Sequence, residues 1–347
     1  NGITTVSEND AWAVGYSYNA PLASPHPKTF TTHWDGKSWR VIASAEADGN
    51  NSVLNAVAAA STSDVWAVGY SYPFASSEWI QSTSKTLIEH WNGKAWQIIS
   101  SPNGPGHNGI LNSLVVISQN NIWAAGSFID SNHITQPLLE HWNGTVWQIV
   151  SLPLDNAPAV GSFLDIAATS ANDIWVAGSG EQQPGMIARA LIAHWDGKTW
   201  KYRSEFQSTW GLVKFDVASS HELWAVNIEG DLVHWNGQQW KSVTLHAVEQ
   251  TGTEHITGVY TLSSNEIWVT EVIRKGNQES SIAVFRGDGK TWHQVAVPAL
   301  QLPSNLIDNN LVDINGYANH QVWIAGFASD SEGGYASSFI LGQRNCP

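Results

Sequence analysis

Four side chains of this 347-residue chain have the types that acid–base chemistry needs. Asp165, Lys214 and Asp313 each lie ten residues before a tryptophan of a repeated motif. His255 follows Glu254 in a polar segment. Two carboxylates held about 5 to 10 Å apart are what glycoside hydrolysis requires, and a neighbouring lysine or histidine can stabilise charge or move a proton. A solvated ion-pair network is the alternative interpretation of the same residues.

A second set of residues suits ligand binding. These are aromatic, histidine and acidic side chains in long, irregular segments between the repeated motifs: Tyr16, Tyr18, Tyr70, Tyr72, Trp79, His107, His133, Trp210 and Glu254. Aromatic faces stack on the C–H faces of sugars, while sugar hydroxyls need polar donors and acceptors. The alternative is that these side chains attach long loops to the scaffold.

Motifs for other chemistries are absent. The chain has no Walker loop, no GxGxxG opening a helix, no GxSxG and no HExxH. A metal site would need two or three histidines to converge with a carboxylate, and no close spacing of histidine and aspartate favours one. We therefore expect neither a metal nor a cofactor.

Charge and composition narrow the class of partner. Acidic residues outnumber basic ones by 30 to 16, and the net charge of −14 argues against nucleic acid and against an anionic membrane surface. No apolar run is long enough for membrane insertion. Cys346 is the single cysteine, so the chain cannot form a disulfide framework or a cysteine zinc site within itself. Few lysines and methionines, with many small polar residues, favour a secreted or cell-surface location.

The elements that position these residues are set by a repeat. A polar residue, an aliphatic residue or alanine, and a tryptophan recur seven times at spacings of 44 to 57 residues, close to the length of a propeller blade. The seven tryptophans are Trp12, Trp66, Trp123, Trp175, Trp224, Trp268 and Trp323.

A second signature follows the first five of these tryptophans. It consists of His-Trp, Asn-Gly or Asp-Gly, and a further tryptophan; its histidines are His33, His90, His141, His194 and His234. In the sixth unit Arg286 replaces the histidine, and the turn and Trp292 remain. Asn-Gly or Asp-Gly between aromatic-rich strands predicts a hairpin with a type I′ turn. We assign the five histidines a structural role.

Each unit is predicted to contain four short antiparallel strands. A four-stranded sheet cannot bury both faces alone, whereas a ring of sheets can. We expect one all-β domain over residues 1–347, a seven-bladed β-propeller of four-stranded antiparallel blades with approximate bounds 1–45, 46–101, 102–153, 154–205, 206–246, 247–298 and 299–347. Residues 339–342 correspond to strand three of the seventh blade. That blade has three strands, or residues preceding Asn1 supply its fourth; we favour the second.

Two further segments carry a family resemblance. Asp288-Gly289-Lys290-Thr291-Trp292 is similar to an Asp-box that lacks one residue, and Ala13-Val14-Gly15 follows Trp12 where Kelch blades place their glycines. The whole chain resembles the bacterial Trp-rich β-propellers related to Kelch and Asp-box repeats. Such propellers include lectins, glycosidases, polysaccharide lyases and extracellular sensors. The resemblance therefore implies a specific fold but leaves the function open among these classes.

Three functions therefore remain open. The first is an extracellular, lectin-like propeller whose long-loop face binds a glycan or another extracellular ligand. The second is a glycoside hydrolase or polysaccharide lyase whose site lies at the mouth of the channel, where the acidic net charge favours a hydrolase. The third is a protein-interaction or sensor domain of a larger protein. The sequence leaves the oligomeric state open.

Overall fold

The computed structural model describes residues 1–18, 26–45, 47, 49–74, 83–106, 108–153, 158, 160–204, 210–245, 253–275, 279–297, 308–317, 321–329 and 336–343. It describes only the backbone of residues 253, 254, 275, 279, 280, 308–310, 317, 329, 336, 337 and 343. All of the elements defined in these residues are β-strands. The described residues contain no helix that is long and apolar enough to cross a membrane.

The first three sheets have four strands each. Blade one comprises β1 (Gly2–Ser7), β2 (Asp10–Tyr18), β3 (Pro27–Trp34) and β4 (Trp39–Ile42). Blade two comprises β5 (Asn50–Ser61), β6 (Asp64–Pro73), β7 (Lys85–Trp91) and β8 (Trp96–Ile98). Blade three comprises β9 (Ile110–Ser118), β10 (Asn121–Ile129), β11 (Thr135–Trp142) and β12 (Trp147–Ile149).

The next three sheets repeat this order, and the last has three strands. Blade four comprises β13 (Val160–Ser170), β14 (Asp173–Glu181), β15 (Arg189–Trp195) and β16 (Trp200–Tyr202). Blade five comprises β17 (Leu212–Ser219), β18 (Glu222–Asn227), β19 (Leu232–Trp235) and β20 (Trp240–Ser242). Blade six comprises β21 (Thr253–Ser263), β22 (Glu266–Lys275), β23 (Glu279–Gly287) and β24 (Trp292–Val295). Blade seven comprises β25 (Asp308–Tyr317), β26 (Gln321–Ser329) and β27 (Ala336–Gln343).

These sheets confirm the fold class, an all-β seven-bladed propeller whose last blade has three strands among the described residues. The chain forms two compact units, Asn1–Val213 and Lys214–Pro347. The assignment of residues 1–347 to one domain stays a prediction, as do the blade bounds.

Tryptophans of the two signatures meet between neighbouring blades. The ring centroids of Trp66 in blade two and Trp147 in blade three are 5.8 Å apart, with the ring planes near perpendicular. Trp123 and Trp200 repeat the contact between blades three and four at 5.4 Å. The strand-two tryptophans are buried with the aliphatic residues beside them. Most of the tryptophan in this chain therefore packs blade against blade.

The histidines of the second signature are structural, as predicted. His90 stacks on Trp66 with centroids 4.2 Å apart, and its Nε2 lies 2.8 Å from Oδ1 of Asp64. The same aspartate oxygen accepts a 2.7 Å hydrogen bond from the Trp66 indole. In blade six, Arg286 keeps this arrangement, with its Nε 3.1 Å from Oε1 of Glu266 and its guanidinium over Trp268.

The predicted turn type was wrong, although the hairpins form. Among the described turns only the glycine has a positive φ, for example +86° at Gly93 and +92° at Gly144, and the preceding Asn or Asp does not. Asn92 instead uses its side-chain oxygen to accept the backbone N–H groups of Lys94 and Ala95, at 3.0 and 3.1 Å. Because four residues separate Trp91 from its strand partner Trp96, the turn needs one residue with positive φ rather than the two of a type I′ turn.

Glycine in strand two is required by a β-bulge in strand one. The pairing of β5 with β6 skips Asn55, between Leu54 and Ala56. A Cβ on Gly69 would overlap the carbonyl oxygen of Val53. The Asn55 side chain, freed from the ladder, donates a 2.8 Å hydrogen bond to the carbonyl of Leu111 in the next blade. The bulge thus links adjacent blades and explains the glycine that follows the first signature.

Candidate functional site

Tyrosines lie at the ends of two equivalent strands. Tyr16 and Tyr18 end β2, and Tyr70 and Tyr72 occupy the same places in β6, four and six residues after the strand-two tryptophan. Residues two apart in a strand point to the same face, so each blade presents a pair of rings. We call these four residues the tyrosine patch.

The rings within each pair are in contact. Tyr16 and Tyr18 meet edge to face with centroids 5.4 Å apart, and Tyr70 and Tyr72 stack at 6.0 Å with an interplanar angle of 20°. Tyr16 and Tyr18 are 40% and 50% exposed, whereas Tyr70 and Tyr72 are half-buried. Aromatic area thus remains accessible to a ligand chiefly on blade one, and in part on blade two.

The four phenols form one electrostatic cluster. Burial raises the pKa of Tyr16, and the phenols of Tyr18, Tyr70 and Tyr72 raise it further. Burial likewise raises the pKa of Tyr70 and Tyr72, and the Tyr18 phenol adds to both shifts. The phenols of Tyr16, Tyr70 and Tyr72 therefore stay protonated at neutral pH and can donate a hydrogen bond.

A pocket of about 250 Å³ lies where blades one and two meet, beside Tyr16. This position follows from the strand register, because Thr29 in its lining pairs with Tyr16 across β2 and β3. We call it the hydroxyl pocket. It is lined by Lys28, Thr29, Ala47, Gly49, Asn50, Ser52 and Phe74. Sequence reasoning missed it, because none of the residues that line it belongs to a motif.

Trp210 and His133 lie in other blades. Trp210 is 37% exposed, but the guanidinium of Arg189 lies 5.3 Å from its ring centroid and the backbones of the two residues form a bridge. One face of this indole is therefore occupied by a cation. His133 is exposed, with a φ of 60°, in the turn that follows β10.

Three predicted binding residues cannot be placed. Trp79 and His107 lie outside the described residues. Glu254 belongs to β21, and only its backbone is described. Their roles stay predictions.

The candidate catalytic residues have these partners. Asp165 Oδ1 accepts a 2.7 Å hydrogen bond from the hydroxyl of Ser113, which holds the equivalent position in blade three. Lys214 Nζ lies 3.6 Å from Asp313 Oδ1, so the structure brings blades five and seven together at this ion pair. His255 packs against Gly230, and the N–H of Ile256 donates to the Gly230 carbonyl. An enzymatic role for these residues stays a prediction.

Metal-ligating residues do not cluster in the described part of the chain: it holds no group of three or more histidine, cysteine, aspartate or glutamate side chains able to hold a metal ion.

Two buried glutamates, which sequence reasoning missed, connect blades to the loops before them. Glu89 precedes the signature histidine of blade two and accepts hydrogen bonds from the Ser44 hydroxyl at 2.6 Å and the Ala45 N–H at 3.1 Å. Glu140, its equivalent in blade three, accepts from the hydroxyl of Ser101. Burial raises the pKa of each carboxyl to about 7. The sequence does carry a signal for these two glutamates, because only two of the repeats have a glutamate at this core position of strand three.

Comparison with known proteins identifies relatives by fold. No family model matches the chain, and no curated protein matches it by sequence. YCF48, in its structure bound to D1 peptide, is 15% identical to this chain in sequence. The two structures align with a TM-score of 0.59 over 99% of this chain and 91% of that one. YCF48 from Cyanidioschyzon merolae is 13% identical with a TM-score of 0.56, covering 96% and 98%. A protein of unknown function from Dyadobacter fermentans is 12% identical with a TM-score of 0.53, covering 98% and 92%. Identities this low show a shared propeller fold alone.

Proposed function

We propose that this propeller is an extracellular glycan-binding protein whose binding surface is the tyrosine patch. The observation that carries the proposal is the contact of tyrosine rings within each of two adjacent blades, exposed in blade one and half-buried in blade two. An accessible aromatic face offers stacking area for the C–H face of a sugar ring, and protonated phenols offer donors for its hydroxyls.

The pairing of the rings favours an extended ligand. Tyr16 and Tyr18 lie on one blade and Tyr70 and Tyr72 on the next, so the same ring pair is presented twice. A repeated surface suits a ligand made of repeated units, because each unit meets similar chemistry. An oligosaccharide is such a ligand.

The proposal is tested with a glycan array followed by calorimetry on the sugars that bind. Tyr18→Ala and Tyr72→Ala each remove one ring and are expected to weaken binding about fivefold, in line with the roughly 1 kcal/mol that one aromatic contact contributes. Ile187→Ala, which truncates an exposed apolar side chain on blade four, is the matched control and should bind like the native chain. Absence of binding to every sugar on the array would remove the proposal.

Peptide binding is the second candidate. It is favoured by the tyrosines, which are enriched in protein recognition surfaces, and by the likeness in fold to YCF48, whose structure is described as bound to D1 peptide. A peptide array would distinguish the two candidates. Peptide binding that is lost in Tyr72→Ala, with no response on the glycan array, favours the interaction domain over the lectin.

A further inference from the structure

An exposed apolar loop joins β14 and β15 of blade four. Met186 and Ile187 of this loop are 53% and 57% exposed, and Met186 is the single methionine of the chain. The N–H of Gly185 donates a 2.6 Å hydrogen bond to Oε2 of Glu181. The N–H of Met186 donates to the carbonyl of Gln183 at 3.1 Å. The two apolar side chains are therefore presented to solvent on a backbone that the loop itself holds in place.

An arginine and a tryptophan lie beside this loop. The backbones of Arg189 and Trp210 form an antiparallel bridge, and the guanidinium lies 5.3 Å from the centroid of the indole. Next to the bridge, the N–H of Gly211 donates to the carbonyl of Ala188 at 3.3 Å. Ile187 is two residues before Arg189, so the bridge brings the end of the apolar loop to the indole. We call Met186, Ile187, Arg189 and Trp210 the arginine surface.

Arg189 has hydrogen-bond donors that the described part of the chain does not use. Its guanidinium contacts the Trp210 ring, but it makes no hydrogen bond and no ion pair with a described residue. Arg40, by contrast, lies 3.0 Å from Oδ2 of Asp35. A guanidinium stacked on an indole keeps its N–H groups at the edge, where they match the two oxygens of a carboxylate. These unused donors are the observation that points to an acidic group on a ligand.

The residue types of the arginine surface are those of protein recognition. Tryptophan, methionine and arginine are enriched at protein–protein interfaces, and tryptophan and arginine are frequent among the residues that dominate binding energy. The stacking on Trp210 holds the guanidinium before a partner arrives, so less side-chain freedom is lost on binding. The surface therefore offers a positioned cation beside accessible apolar side chains.

The charge of the whole chain restricts the partner further. With 30 acidic and 16 basic residues and a net charge of −14, the chain repels a segment that carries many carboxylates. A single carboxylate avoids most of this repulsion and still pairs with the guanidinium at short range. The fitting partner thus combines one acid with apolar neighbours.

We propose that the arginine surface binds a peptide segment of a partner protein that presents one Asp or Glu beside an aliphatic or aromatic side chain. The carboxylate pairs with Arg189, and the apolar side chain contacts Met186 and Ile187. This interaction is separate from glycan binding at the tyrosine patch and does not depend on it.

The test is selection of peptides from a random library displayed on phage, followed by calorimetry on the selected sequences synthesised with capped ends. We expect the enriched peptides to contain one Asp or Glu beside a Leu, Ile or Phe. Replacing that acid by its amide should weaken binding about tenfold, because a charge-assisted hydrogen bond is lost. Enrichment of peptides without an acid, or no enrichment, would overturn the inference and leave glycan binding intact.

Variants locate the binding on the arginine surface. Arg189→Gln is expected to weaken peptide binding about tenfold, and Met186→Ala about threefold through lost apolar contact. Arg40→Gln and Val146→Ala are the matched controls, since they change an exposed arginine on blade one and an exposed aliphatic side chain on blade three. Peptide binding that is unchanged in Arg189→Gln would overturn the inference.

The single methionine gives a second measurement on the native chain. Peroxide oxidises an exposed methionine to its sulfoxide, which mass spectrometry detects. A saturating peptide without methionine should slow the oxidation of Met186 about threefold or more, because the peptide covers the side chain. Oxidation at the same rate with and without the peptide would place the binding elsewhere and overturn the inference.

Discussion

Trp12 of blade one and Trp96 of blade two meet edge to face, with ring centroids 5.4 Å apart and an interplanar angle of 87°. Trp12 comes from the first signature and Trp96 from the second, so the contact joins two motifs of different repeats. It recurs between Trp224 and Trp292 in blades five and six, at 5.7 Å and 78°. The two sequence signatures are therefore the two halves of one contact between blades.

Truncating a tryptophan of this contact should cost much of the stability of the unit that contains it. Trp123 is buried in a cluster with Phe163, Leu191 and Trp200, so Trp123→Ala leaves a large cavity. We expect a loss of about 3 to 5 kcal/mol in the free energy of unfolding, measured by chemical denaturation. Ile187→Ala, exposed on blade four, should change it by less than about 0.5 kcal/mol. A loss below about 1 kcal/mol in Trp123→Ala would contradict the packing role.

The signature acceptor should tolerate an amide but not its removal. Asp64 accepts hydrogen bonds from both the Trp66 indole and His90, and Asn121 does the same in blade three. Asp64→Asn is therefore expected to change the free energy of unfolding by less than about 1 kcal/mol, whereas Asp64→Ala should lower it by about 1 to 3 kcal/mol because two donors lose their acceptor. If the two variants lose the same free energy of unfolding, the negative charge of Asp64, rather than its ability to accept hydrogen bonds, is what stabilises the site.

The fold was predictable because each recurring feature of a blade requires a particular residue type at a fixed place in the repeat. Trp66 marks the buried face of strand two, Gly69 the point where strand one approaches, and Asn92-Gly93 the outer hairpin. The hairpin type was not predictable from Asn-Gly alone, since the number of residues between Trp91 and Trp96 decides how many positive φ angles the turn needs.

The candidate site was predictable only in part. The Tyr-Ser-Tyr segments at Tyr16 and Tyr70 stand at the same offset from the signature tryptophan, which is visible in the sequence. That Thr29 and Ser52 line one pocket is not visible, because the two residues come from different blades and neither belongs to a motif. Sequence reasoning also could not show that Arg189 covers one face of Trp210.

Stability should depend on pH through Glu89. Its pKa is raised from 4.5 to about 7 in the folded chain, chiefly by burial. Between these values the folded state holds a proton that the unfolded state has released, so this carboxyl lowers stability progressively from about pH 4.5 to pH 7. The stability that the protonated form provides is complete at the lower limit and lost above pH 7. A shift of this size corresponds to roughly 3 kcal/mol.

Glu89→Gln removes this titration and is the test. We expect the free energy of unfolding of Glu89→Gln, relative to the native chain, to rise by roughly 3 kcal/mol between pH 4.5 and pH 8. Glu8→Gln makes the same chemical change at an exposed side chain and serves as the control. A difference that stays constant across this range would mean that Glu89 has the same pKa in the folded and the unfolded chain.

Three phenols of the tyrosine patch should titrate differently when Tyr18 is changed. Burial raises the pKa of Tyr16, Tyr70 and Tyr72, and the Tyr18 phenol raises each of them further. Tyr18→Phe keeps the ring and removes this hydroxyl, so the remaining three phenols should ionise at lower pH than in the native chain, as measured by phenolate absorbance. Tyr202→Phe, on β16 of blade four, should leave that part of the titration unchanged. Identical curves for Tyr18→Phe and the native chain would show that the two ring pairs do not interact. That result would contradict the single surface on which the proposed glycan binding depends.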